Sequence, residues 1–150
     1  MNDKVKRSMR GDDMYHEQTS NQTFKRLLTD SKTIAVVGLS DKPHRTSYQV
    51  SKLMQQQGYK IIPVNPTIDE ALGEKSVPSL SDIDEPVDIV NVFRKAIFLE
   101  DIVTEAIRIK APVVWAQLGI YDEDVFKRYH NQVKLIMDTC IKVKYYEVMN

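Results

Sequence analysis

The chain has 150 residues and a mass of 17.3 kDa, the size of one domain, and its 42% hydrophobic and 28% charged content excludes intrinsic disorder, a collagen-like chain and a coiled coil. Twenty-one Lys and Arg balance twenty-one Asp and Glu, so no bulk field attracts nucleic acid or an anionic membrane, and any anion site is local. Cys140 is the only cysteine, which excludes an intrachain disulfide and a multi-cysteine metal site and makes a reducing compartment, the cytoplasm, the expectation.

Residues 1–20 mix Lys, Arg, Asp and Glu without the apolar stretch of a signal peptide, so they are expected to form a loose arm ahead of a single domain over 21–150. Residues 23–28 predict a helix that packs Phe24, Leu27 and Leu28 on a sheet edge. From residue 33 onward short apolar runs alternate with longer amphipathic segments, the pattern of β-α-β units. Residues 33–37 are β-rich and apolar at successive positions, as a strand covered by helices on both faces must be, and Gly38 ends them. Ser47 is a candidate N-cap for a helix carrying Val50, Leu53 and Met54, with Gly58 at its C-terminal cap. Residues 59–64 form the second strand, closed by Asn65-Pro66. Between 68 and 86 the proline-bounded signals predict a short strand-like piece and one helical turn. Residues 87–93 are a third strand. After it Leu99, Ile102, Val103, Ala106 and Ile107 fall on one helical face at offsets 0, 3, 4, 7 and 8. Residues 112–116 are strand four, 123–130 a short helix and 133–137 strand five. The longest apolar runs are far short of the ~20 residues that cross a bilayer.

The expected architecture is therefore α/β, a doubly wound parallel sheet of about five strands with helices on both faces. Ligands of such sheets bind outside the carboxyl ends of the strands, where the strand order reverses. That rule selects residues 38–47, Asn65 and Pro66, Phe93 and Arg94, residues 117–119 and residues 138–140. The loop 38–47 joins a buried strand to a helix, so backbone amides and the positive end of the helix dipole face the site. Lys42, His44 and Arg45 add positive charge, and Ser40, Thr46 and Ser47 add hydroxyl donors. A phosphate or diphosphate suits this chemistry. Of the dinucleotide pattern G-x-G-x-x-G only Gly38 is present, with Ser40 and Pro43 at the other glycine positions, and strand two ends in Asn65 where NAD binding wants an acidic residue. A phosphorylated ribose fits better, as in NADP or in coenzyme A.

Residues 35–40 (Ala-Val-Val-Gly-Leu-Ser), 63–66 (Pro-Val-Asn-Pro), 87–94 (Val-Asp-Ile-Val-Asn-Val-Phe-Arg) and 115–119 (Trp-Ala-Gln-Leu-Gly) resemble, in collinear order, the small stand-alone CoA-binding proteins. Those in turn resemble the CoA-binding domain of the succinyl-CoA synthetase α subunit. The resemblance covers about residues 24–146 and implies a Rossmann-like fold that binds coenzyme A or an acyl-CoA without catalysis. It implies Gly38, Leu39 and Ser40 at the diphosphate, with Lys42, Arg45, Thr46 and Ser47 on phosphates. Asn65 and Pro66 would border the ribose and its 3′-phosphate, Phe93 and Arg94 the adenine, and Gln117, Leu118 and Gly119 the pantetheine arm. The alternative is an NADP-dependent oxidoreductase using the same crevice. His16, His44 and His130 read as surface or phosphate-facing residues, Trp115 as core, and no metal cluster is visible. Cys140 is a possible thiol contact, against the simpler reading of a half-buried small hydrophobe. The sequence specifies no protein partner, nucleic-acid partner or membrane anchor.

Overall fold

The computed structural model describes residues 19–149. The expected arm therefore lies outside the described residues except for Thr19, which is buried, and Ser20. Helix α1 (Asn21–Asp30) begins where the Ser20 hydroxyl accepts the Thr23 N–H at 3.1 Å. Then follow β1 (Thr33–Val37), α2 (Thr46–Gln56), β2 (Lys60–Val64), a two-residue hairpin of β3 (Glu70–Ala71) and β4 (Glu74–Lys75), and a 3-10 turn at Leu80–Asp82. The hairpin turns through Leu72 and Gly73, both at positive φ, the geometry a two-residue turn needs to match strand twist. The rest of the chain runs β5 (Ile89–Val92), a second 3-10 turn (Ala96–Phe98), α3 (Leu99–Arg108), β6 (Val113–Ala116), α4 (Glu123–Tyr129), β7 (Lys134–Ile136) and α5 (Ile141–Met149).

One five-stranded sheet carries the order β2-β1-β5-β6-β7, with every pair parallel. The chain leaves β1 toward β2 on one side and returns to β5 on the other, so the order reverses between β1 and β5. Period-two alternation sends Ile34, Val36, Ile61, Ile89, Val113 and Trp115 to one face, beneath α1, α2 and α5. Ala35, Val37, Ile62, Val90, Val92 and Val114 pack on the other face beneath α3 and α4. This is the expected doubly wound α/β architecture.

Three details differ from the sequence expectations. Helix α1 lies over the sheet face rather than its edge, because Phe24 packs its ring 5.4 Å from that of Trp115 on β6. Arg45, not Ser47, is the N-cap residue of α2; Ser47 sits in the first turn, where its hydroxyl accepts the Ser40 N–H at 3.0 Å. The closing helix α5 is absent from the expected elements, although Ile141, Tyr145 and Val148 fall at offsets 0, 4 and 7 and pack against the same face.

Tyr59, just before β2, donates its hydroxyl to the Leu28 carbonyl at 2.5 Å and so ties α1 to the sheet. Burial, with a smaller contribution from Tyr145, pushes its phenol up to about 12. The folded state thus prefers the protonated phenol, and its contribution is complete below the ordinary tyrosine range and lost as pH rises through about 12. Stability should therefore fall between about pH 10 and 12. Urea denaturation of the protein and of Tyr59→Phe should show a gap near neutrality that closes across this window; a gap of constant size would rule the linkage out.

Candidate functional site

At the reversal between β1 and β5, two loops approach closely. Gly38 ends β1 with φ +89°, and its N–H donates to the Val64 carbonyl at 2.9 Å, tying β1 to the end of β2. A Cβ at this position would stand 2.9 Å from the Phe93 carbonyl oxygen and 3.2 Å from Arg94 Cγ. Leu39, fully buried, anchors the following loop. The Lys42 N–H donates to the Ser40 hydroxyl at 3.1 Å, and the Arg45 N–H to the Lys42 carbonyl at 3.0 Å, so the loop folds back on itself before α2 starts. Arg45 makes no side-chain cap to α2, which leaves the first amides of that helix facing outward.

Two adjoining clefts result. One, of about 360 Å³, is lined by Gly38, Ser40, Lys42, Arg45, Thr46 and Ser47 opposite Phe93. The other, of about 460 Å³, shares Gly38 and Phe93 and adds Val64, Asn65, Pro66, Thr67 and Arg94. None of these lining residues is a carboxylate. The depression at the amino end of β2 is the opposite case. Its 290 Å³ are bordered by Glu74, Asp82, Asp84 and Glu85, and Lys60 there is held by Glu85 at 2.8 Å, which raises the lysine pKa. Phosphates are favoured at the first location and repelled at the second.

Several predicted residues act on the protein itself. The Asn65 amide donates from Nδ2 to the Leu39 carbonyl at 2.9 Å, while Oδ1 accepts from the Thr67 N–H at 2.9 Å and the Thr67 hydroxyl at 2.7 Å. Asn65 thus clamps the loops after β1 and β2 together, and Thr67 joins the cleft. The Asn-Pro-Thr sequence, a turn former in which the asparagine oxygen caps a backbone amide, was the available signal for Thr67. Gln117 is buried, with 4% of its surface exposed. It donates from Nε2 to Asn91 Oδ1 at 2.5 Å and accepts the Ile141 N–H at 3.3 Å on Oε1, so its side chain points into the fold rather than along a ligand. Leu118 is exposed beyond it, and the Gly119 N–H, at φ +84°, donates to Asp138 Oδ1 at 2.7 Å. Asp138, itself at φ +54°, returns its N–H to the Ile120 carbonyl at 3.1 Å. This clamp between the loops after β6 and β7 has no marker in the sequence beyond an Asp at a strand end.

Arg94 is exposed with its guanidinium 4.0 Å above the Phe98 ring, and Phe93 is half-buried between the clefts. Cys140 is half-buried immediately before α5 and packs against the core beneath α1, α2 and α5. His44 is exposed in the β1 loop, and His130 stacks on Phe126 at 5.5 Å, while His16 lies outside the described residues. Trp115 is core, its indole N–H donating to the Thr139 carbonyl at 2.8 Å. Among the described residues no group of three His, Cys, Asp or Glu could hold a metal ion, and no helix is long and apolar enough to cross a membrane.

The profile of a family described as "CoA binding domain" matches residues 32–146. The chain is 53% identical over 128 residues to the uncharacterized protein YneT of Bacillus subtilis, covering 85% of this chain and 95% of that protein. A hypothetical protein from Pyrococcus horikoshii OT3 has a similar structure, with a TM-score of 0.84 and 31% identity, covering 87% of this chain and 93% of that one. The chain is also 24% identical over 123 residues to an ADP-forming acetate–CoA ligase of Methanocaldococcus jannaschii; the match covers 75% of this chain but 17% of the ligase.

Proposed function

The chain belongs to the CoA binding domain family, and from that premise we propose that it holds coenzyme A, or an acyl-CoA, across the carboxyl ends of its strands without catalysing a reaction. The observation that carries this reading is the pair of carboxylate-free, basic clefts hinged on Gly38, at the reversal of strand order and the open amino end of α2. The diphosphate lies against Gly38, Leu39 and Ser40 and the first amides of α2, where Thr46 and Ser47 offer hydroxyls and Lys42 and Arg45 offer charge. Asn65, Pro66 and Thr67 border the ribose with its 3′-phosphate, and Phe93 and Arg94 flank the adenine. Leu118 and Gly119 border the pantetheine arm, with Gln117 and Asp138 holding their loop from behind. Cys140 stays a core side chain in this reading. From the ligase we carry over the coenzyme alone, since this chain spans 17% of it.

Thermal unfolding tests the reading. Coenzyme A at about 100 times its dissociation constant should stabilise the fold by about 2.7 kcal/mol, a rise of several degrees in melting temperature for a domain of this size. NADP raising the melting temperature while coenzyme A at the same concentration leaves it unchanged would favour the oxidoreductase alternative instead. Arg45→Ala should weaken coenzyme A about tenfold in calorimetric titration, the loss of one charge-assisted contact at an exposed site. Unchanged affinity would remove Arg45 from the diphosphate.

A further inference from the structure

The two clefts that meet at Gly38 divide the nearby positive charge unequally. The cleft at the amino end of α2 carries Lys42 and Arg45, whereas in the cleft beyond the end of β2 Arg94 is the one charged side chain among the described lining residues. Arg94 is also held from two sides. Its stem lies over Gly38, where an added Cβ would stand 3.2 Å from Arg94 Cγ, and its guanidinium sits 4.0 Å above the ring of Phe98, in the 3-10 turn after β5. A guanidinium over an aromatic face is attracted to the ring while its N–H groups stay open to an acceptor. Among the described residues no carboxylate pairs with it, whereas Lys60, Arg128 and Lys144 are paired with Glu85, Glu100 and Glu147. An ordered, unpaired guanidinium in a carboxylate-free cleft suits an anion, because Phe98 and Gly38 already restrict a long side chain that would otherwise lose its freedom on binding.

We propose that Arg94 pairs with the 3′-phosphate of coenzyme A and sets a preference for coenzyme A over its dephospho form, with Phe98 as the residue that positions it. The inference rests on the coenzyme reading above. Coenzyme A brings two separate anionic groups, and the two clefts offer two separate sources of positive charge. Lys42, Arg45 and the first amides of α2 serve the diphosphate, which leaves Arg94 for the phosphate on the ribose that Asn65, Pro66 and Thr67 border. Base and 3′-phosphate hang from one ribose, so a guanidinium flanking the adenine also stands beside that phosphate. The planar fork of N–H donors matches phosphate oxygens two at a time, which a lysine ammonium does not.

Calorimetric titration with coenzyme A and dephospho-coenzyme A tests it. One charge-assisted pair at an exposed site is worth about a factor of ten, so coenzyme A should bind about tenfold tighter than the dephospho form. Arg94→Gln keeps the stem over Gly38 and removes the charge. It should weaken coenzyme A about tenfold more than dephospho-coenzyme A and so erase the preference, while continued binding of the dephospho form shows that the variant folds. Phe98→Leu should cut the preference about threefold, and Phe98→Tyr, which keeps the ring, should retain it. Arg45→Ala, at the diphosphate both ligands share, should weaken both alike. Equal affinities for the two ligands in the unaltered protein, a preference that survives Arg94→Gln, or an equal loss for both ligands in Arg94→Gln would overturn the 3′-phosphate role while leaving coenzyme binding in place. A preference lost in Arg94→Gln but untouched in Phe98→Leu would overturn the positioning role of Phe98. No binding of either ligand to the unaltered protein would overturn the coenzyme reading itself.

Discussion

Gly38→Ala is expected to cost about 3 kcal/mol of stability, the sum of a left-handed backbone imposed on an L-residue and a forced retreat of neighbouring backbone. At φ +89° an alanine is strained wherever it sits, and here its Cβ would also stand 2.9 Å from the Phe93 carbonyl oxygen. That oxygen belongs to a peptide continuous with β5, so it cannot swing aside as a flexible side chain could. Gly58 separates the two contributions. Its φ is +104°, yet a Cβ added there would meet nothing within 4 Å, so Gly58→Ala should cost only the backbone share, about 1–2 kcal/mol. Urea denaturation of both variants gives the difference, which measures the approach of the β1 and β5 loops. Equal losses would show that the close approach relaxes freely. The same retreat should part Gly38 from Phe93, the two residues the clefts share, so coenzyme A should bind Gly38→Ala at least tenfold more weakly than it binds Gly58→Ala.

Gln117→Leu is expected to cost about 3 kcal/mol, for a different reason. The Gln117 amide joins Asn91 in β5 to the first turn of α5, and both Gln117 and Asn91 are buried. Leucine is close in size but leaves Asn91 Oδ1 and the Ile141 N–H without that partner in a site closed to water, each at about 1–3 kcal/mol. Asn91→Leu should be similarly damaging, and the double variant should lose less than the two single losses added, because removing both polar groups leaves fewer orphaned atoms. Strict additivity in denaturant melts would mean that the Asn91–Gln117 bond contributes nothing of its own.

These two residues also show where the sequence was readable. Gly38 is marked by its position, a glycine closing an apolar β-rich run before a helix, and the structure places it where the two clefts meet. Gln117 falls under the same strand-end rule, but its side chain turns inward. A strand end dictates where a residue's backbone lies, whereas the direction of its side chain depends on what stands behind it. Asn65 behaves alike, clamping two loops while its neighbours Pro66 and Thr67 line the cleft.

The alternation of strands and helices, the doubly wound class, most core positions and the strand ends at which the two clefts open are legible in the order of residues alone. Each of these follows from interactions between residues a few positions apart, namely hydrophobic period, turn chemistry and helix termini. That α1 covers Trp115, that Ser47 braces the β1 loop rather than capping α2, and that Asn91 and Gln117 pair across 26 residues of chain emerge in the folded molecule alone. Such contacts depend on which distant backbones the sheet order brings together, and no local pattern encodes that distance.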